Sequence, residues 1–90
     1  MRLDVFLKTS RLVKRRTLAK DYCDEGRVLV GGHAAKPGRE VAPGDMITLE
    51  LARRRVVVEV LDIPKGNVPK GDAAGLYKVI EDTPRHEDDV

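Results

Sequence analysis

The chain has 90 residues and a net charge of +2, and only three of its residues are aromatic and one is cysteine. A domain of this size has little room for an enclosed active site, and a single cysteine with two histidines provides neither an internal disulfide nor the spacing of a metal site. Because no apolar run approaches the length of a signal peptide or a membrane helix, we expect a cytoplasmic protein that needs no metal or other cofactor.

Two short helices are predicted at the start of the chain. Apolar residues at Leu3, Phe6 and Leu7 have the i, i+3, i+4 spacing of one helical face, which predicts a helix over about residues 3–9. A second apolar stripe predicts a helix over about residues 15–25, which Gly26 would end with a left-handed cap.

The remainder of the chain has the two-residue period of strands. Strands are predicted at residues 27–30, 46–51, 55–61 and 76–80, with an irregular or edge segment at 34–40 where Pro and Gly interrupt the pattern. Residues 64–75 are rich in Gly, Pro and Lys and predict an exposed loop, with a short helical turn at about 72–76. The pattern predicts an α+β fold in which two short N-terminal helices pack on a small, mostly antiparallel sheet.

The small net charge conceals a segregation of charge along the chain. The first 27 residues hold eight bases and four acids, a net charge of +4, whereas residues 81–90 hold one base and five acids, a net charge of −4. The middle carries +2 and includes the adjacent Arg53, Arg54 and Arg55, which we expect in a solvated turn, although a hairpin tip that reaches RNA is the alternative. A polyanion would meet the N-terminal segment first.

The basic residues near the second predicted helix have the pattern of an anion site. Lys14, Arg15 and Arg16 fall at its N-terminus, where free N–H groups and the helix dipole favour anions. Arg2 and Arg11 flank the first helix, and packing of the helices would bring them close to that cluster. Such a cluster suits the phosphates of a nucleic-acid backbone, whereas a merely solvated charged face is the alternative that charge alone leaves open.

Longer motifs make the pattern specific. They are MRLD at residues 1–4, FLK at 6–8, SRLVKRRTLA at 10–19 and GRV at 26–28. These motifs resemble the RNA-binding domain named after ribosomal protein S-four, and the similarity continues to about residue 45, although Gly31 and Gly38 replace a usual Asn and Ser. Over nearly the whole chain, including residues 73–77, the sequence is similar to a family of stand-alone ribosome quality-control proteins of this type.

The resemblance implies a fold and a division of the chain. The fold would be the S-four-type αL fold, with an RNA-binding domain at residues 1–63. Residues 64–82 would form a loop and a short C-terminal extension packed on that domain. Residues 83–90 would form an acidic disordered tail, for which screening of the basic N-terminal segment is one hypothesis.

The resemblance also implies a function. The protein would dock on obstructed large ribosomal subunits, contact ribosomal RNA and peptidyl-tRNA, and act there as a monomer without catalysis while a partner factor adds alanine residues to the stalled chain. Carried over residue by residue, the RNA contacts would be led by Arg2 and Arg16. The full set is Arg2, Lys8, Arg11, Lys14, Arg15, Arg16, Lys20 and Lys36.

Three alternatives remain open at this point. The same domain often precedes RNA-modifying or aminoacyl-tRNA synthetase bodies, but Asp4, Asp45 and Asp62 are isolated carboxylates that caps, turns or solvation explain better than catalysis. A heat-shock-type RNA-binding protein that recycles stalled large subunits is the second alternative. A general ribosomal RNA-binding or ribosome-assembly factor is the third.

Overall fold

Two helices and a five-stranded sheet make up the fold of this computed structural model, which describes residues 1–66 and 68–85. The elements in chain order are α1 (Leu3–Thr9), α2 (Arg16–Asp24), β1 (Val28–Val30), β2 (His33–Ala34), β3 (Met46–Glu50), β4 (Arg54–Val60), a 3₁₀ helix (Lys70–Leu76) and β5 (Tyr77–Pro84). The strand order is β2-β1-β3-β4-β5, and every neighbouring pair is antiparallel. The predicted α+β class is confirmed, and both helices lie within one residue of their predicted bounds.

The core lies between the helices and one face of the sheet. Leu3, Phe6 and Leu7 are completely buried, as their helical spacing predicted. On β4 the side chains alternate, with Val56, Val58 and Val60 in the core and the residues between them partly exposed. Most of the core is therefore aliphatic, and Phe6 is its one fully buried aromatic side chain among the described residues.

The C-terminal strand differs from its prediction. A strand was expected at residues 76–80 and a disordered tail from residue 83, but β5 continues to Pro84, with Thr83 opposite Arg55 and Pro84 opposite Arg54. The tail prediction is wrong for these two residues because the ladder with β4 and the charged pairs beside it outweigh the polar composition of the segment. Residues 86–90 of the predicted tail lie outside the described residues, and the division into domains stays a prediction.

The described residues contain neither a membrane-spanning helix nor a cluster of metal ligands. Within residues 1–66 and 68–85, no helix is long and apolar enough to cross a membrane. The same residues contain no group of His, Cys, Asp or Glu side chains arranged to hold a metal ion.

Cys23 is a buried thiol on the inner face of α2. Burial raises its pKa from an ordinary 9.0 to about 11, and the negative charges of Asp4 and Asp24 act in the same direction. The folded state therefore favours the protonated thiol. The associated stability is present below about pH 9 and is lost as the pH rises through about 11.

We expect Cys23 to be unreactive in the folded protein. At pH 8 a thiol with this pKa carries roughly a hundredfold less thiolate than an ordinary one, so Ellman's reagent should label it very slowly. Addition of 8 M urea should give one equivalent of fast labelling. Fast stoichiometric labelling of the native protein at pH 8 would contradict both the burial and the raised pKa.

Candidate nucleic-acid interface

The centre of the candidate site is the carboxylate of Asp4. This residue lies in the first turn of α1 and is only 1% exposed. Its Oδ1 accepts the backbone N–H of Val5 at 2.9 Å and the Nε–H of Arg2 at 3.2 Å. Its Oδ2 accepts the Nε–H of Arg16 at 3.2 Å. A buried carboxylate is stable only with such partners, so Asp4 holds together two arginines that are 14 positions apart in sequence.

The two arginines remain available to an outside ligand. The side chains of Arg2 and Arg16 are 49% and 56% exposed, although each is tied to a carboxylate that is 2% exposed. Within the part of the chain that the structure describes, their terminal guanidinium nitrogens donate to no acceptor. Asp4 therefore fixes the inner edge of each guanidinium and leaves the outer edge to bind an anion.

The backbone at Arg2 is fixed by a second segment of the chain, residues 37–41. Arg2 forms an isolated antiparallel bridge with Glu40, and the N–H of Leu3 donates to the carbonyl of Arg39 at 2.8 Å. The N–H of Asp4 donates to the carbonyl of Pro37 at 3.1 Å. These bonds satisfy first-turn N–H groups of α1, so the start of this helix is a rigid support for the arginine.

Two adjoining concave surfaces extend from this centre. One is lined by Arg2, Asp4, Arg16, Thr17 and Lys20. The other lies between α2 and residues 34–39, and its cations are Arg2, Lys20, Lys36 and Arg39. Because Arg2 and Lys20 line both, these residues form one basic surface, which we call the Asp4 surface. It contains four of the eight predicted contact residues: Arg2, Arg16, Lys20 and Lys36.

The departure at Gly38 is accommodated on this surface. A Cβ at residue 38 would lie 3.7 Å from a terminal nitrogen of Arg2, which is ordinary van der Waals contact. The loop backbone therefore packs closely beside the guanidinium. Because Gly38 does not have a positive φ, a small side chain would also fit there without backbone strain.

Three other predicted residues meet at a different place. Lys8, Arg11 and Lys14 line a separate concavity at the end of α1. We call this the Lys8 cluster. Arg15, the last of the eight, is the exposed N-cap of α2 and lies between the two groups in sequence. All eight predicted residues are exposed, but the structure divides seven of them between two surfaces instead of one.

The arginine triple lies at the start of β4, lines neither of the two basic surfaces, and is largely neutralised. Arg54 and Arg55 belong to β4, which corrects the expectation of a solvated turn for these two residues, whereas Arg53 lies exposed in the turn before β4. Arg54 pairs with Asp82 of β5, and the Nε of Arg55 lies 3.4 Å from Glu50 and 3.7 Å from Glu81. The pairing of β4 with β5 brings Glu81 and Asp82 next to these arginines.

Sequence reasoning did not assign Asp4 or Arg39 to the Asp4 surface. Asp4 was expected to be a cap or a solvated side chain, and Arg39 was not considered. No local signal identifies either one, since the second arginine partner of Asp4, Arg16, lies 12 residues away and Arg39 reaches the surface through its loop. The only available hint for Asp4 was an acid directly beside the buried stripe of α1.

Comparisons with known proteins agree with this architecture. The family model of the S4 domain matches residues 1–47. The RQC P-site tRNA stabilizing factor of Halalkalibacterium halodurans is 46% identical over 84 residues, which cover 93% of this chain and 94% of the relative. The trimeric structure of heat shock protein 15 from Vibrio cholerae superposes with a TM-score of 0.79 at 30% identity, covering 88% and 80% of the two chains. A hypothetical protein solved in solution gives a TM-score of 0.72 at 40% identity, with coverage of 97% and 99%.

We expect Asp4→Asn to reduce the free energy of unfolding by about 1–3 kcal/mol. The asparagine oxygen can accept from one arginine, but the NH₂ group would face the Nε–H of the other arginine, and two donors cannot form a hydrogen bond. Urea denaturation followed by circular dichroism measures the change. Asp21→Asn is the matched control, since Asp21 is exposed on α2, and its effect should stay within about 0.5 kcal/mol. Equal stability of the two variants would contradict the structural role of Asp4.

Proposed function

The chain belongs to the S4 domain family and groups there with the RQC P-site tRNA stabilizing factors, and on this basis we propose that it is an RNA-binding protein of obstructed large ribosomal subunits. It contacts ribosomal RNA and peptidyl-tRNA on that particle. It supports C-terminal alanine tailing of the stalled nascent chain by a factor bound to the same particle. Its place of action is the cytoplasm.

The observation that carries the proposal is the pair of arginines held by Asp4. A phosphate needs donors in a fixed position, and the buried carboxylate orders Arg2 and Arg16 before any ligand arrives. Structured RNA is the partner that this surface suits best, because A-form RNA is recognised mainly by its shape and its backbone. Lys20 and Lys36 extend the same surface, and Lys8, Arg11, Lys14 and Arg15 complete the proposed set of contacts.

We propose a binding role without catalysis. Each carboxylate that sequence analysis considered already has a local structural task. Asp4 joins two arginines, Asp45 accepts the N–H of Ala42 at 2.9 Å, and Asp62 accepts the N–H of Ile63 at 2.9 Å. Such hydrogen bonds explain these residues as parts of the fold, so they supply no argument for a general acid or base.

A second candidate is supported by one observation, the TM-score of 0.79 with a heat shock protein. Under this alternative, the present chain would recycle stalled large subunits without a role in tailing. We propose that this chain acts as a monomer, although that neighbour is trimeric. The exposed large apolar residues lie on α2, beyond β4 and on β5, and scattered residues of this kind are ordinary on a monomer.

The test is sedimentation of tagged protein with ribosomal particles at two salt concentrations. Wild type should travel with free large subunits that carry peptidyl-tRNA. Arg2→Ala and Arg16→Ala should each bind roughly 10- to 100-fold more weakly, because each loses a charge-assisted contact. Arg53→Ala is the matched control, since Arg53 is exposed in the turn before β4, and it should travel like wild type.

Three other outcomes have distinct meanings. Wild type that remains in the top fractions would contradict docking on the ribosome. Wild type that travels only with incomplete particles would favour a ribosome-assembly factor. Binding to stalled large subunits whose nascent chains receive alanine equally well without this protein would favour the heat-shock-type role.

A further inference from the structure

The Lys8 cluster is a separate surface with its own composition. Its concavity is lined by Lys8, Thr9, Arg11, Val13, Lys14 and Val68, and it shares none of these residues with the groove around Asp4. Among the residues that the structure describes, no carboxylate lines it. Within residues 1–66 and 68–85, no acid lies within ion-pair distance of its three cations. Three exposed cations that meet without a counterion repel one another unless an outside anion joins them.

The presence of an arginine at position 11 of this cluster costs backbone strain. Arg11 has a φ of 65°, and it is the one non-glycine residue with a positive φ in the described part of the chain. It directly follows Ser10, the C-cap of α1, and its N–H donates to the carbonyl of Lys8 at 3.0 Å. This is the left-handed position after a helix where glycine, and less often asparagine, is preferred.

The fold alone does not explain an arginine at that position. Glycine or asparagine would make the same backbone hydrogen bond with less strain. A cation that complements the helix dipole is already present, because Lys8 lies in the last turn of α1. What only arginine adds is a guanidinium beside Lys8 and Lys14.

We propose that the Lys8 cluster is a second RNA-backbone site, separate from the Asp4 surface, and that Arg11 is kept in a strained conformation to supply its phosphate contact. The inference rests on the proposed RNA-binding function and deepens it. The two sites differ in kind. On the Asp4 surface the arginines are ordered by a carboxylate, whereas in the Lys8 cluster the cations have no acidic partner among the described residues and would bind phosphate directly.

The experiment measures RNA affinity and stability on the same variants. The probe is a fluorescein-labelled 20-nucleotide RNA stem-loop, and fluorescence anisotropy gives Kd from 50 to 300 mM KCl. For Arg11→Asn we expect about 3- to 10-fold weaker binding at 100 mM KCl and a slope of log Kd against log salt that is smaller by about 0.7–0.9, the loss of one phosphate contact. The midpoint of urea unfolding should rise, because asparagine tolerates the left-handed backbone better.

Arg11→Gly provides a second neutral variant that suits this backbone, and it should give the same two changes. Arg53→Asn is the matched control, since it removes one exposed arginine from a turn outside the cluster, and its slope should equal that of wild type. An unchanged slope in Arg11→Asn, an equal loss in Arg53→Asn, or a lower urea midpoint in both Arg11 variants would each overturn the proposal.

These outcomes are independent of the ribosome experiment. A wild type that binds the stem-loop through Arg11 but never travels with large subunits would leave the second RNA site intact and refute the proposed function. A wild type that travels with large subunits while Arg11→Asn keeps the full salt slope would support the proposed function and refute the second RNA site.

Discussion

The buried carboxylate of Asp4 is the interaction on which the candidate interface depends. Two guanidinium groups side by side repel each other, and each would otherwise sample many rotamers in water. Asp4 opposes both effects because its carboxylate accepts one Nε–H hydrogen bond from each arginine. The backbone N–H of Val5 donates a third hydrogen bond to the same buried carboxylate. The carboxylate also joins the start of α1 to the start of α2, so the same contacts that build the fold arrange the charges.

The distribution of ion pairs explains why a net charge of +2 is a poor guide to this molecule. At the start of β4, Arg54 and Arg55 pair with acids of β3 and β5. Around the helices, the cations of the Lys8 cluster have no acidic partner among the described residues. The fold therefore neutralises one group of bases and exposes another, and electrostatic attraction of a polyanion concentrates at the helices.

Sequence patterns were sufficient wherever the deciding interaction is local or periodic. The stripe at Leu3, Phe6 and Leu7 predicted α1, and the alternation of β4 predicted its buried face. The patterns failed where a residue's role depends on contacts with segments distant in sequence. Asp4 meets Arg16 only because α1 packs on α2, and β5 reaches Pro84 only because β4 offers it a partner. The strain at Arg11 left no trace, since arginine does not signal a positive φ as glycine does.

The most direct test of the account is the effect of Asp4→Asn on affinity for an RNA stem-loop, measured alone and combined with Arg2→Ala and Arg16→Ala. Electrostatic attraction alone predicts tighter binding, because the substitution removes a negative charge from a phosphate site. If Asp4 orders the arginines, Asp4→Asn must instead weaken binding in the native background and have almost no further effect once both arginines are absent. Tighter or unchanged binding by a folded Asp4→Asn protein would contradict the account.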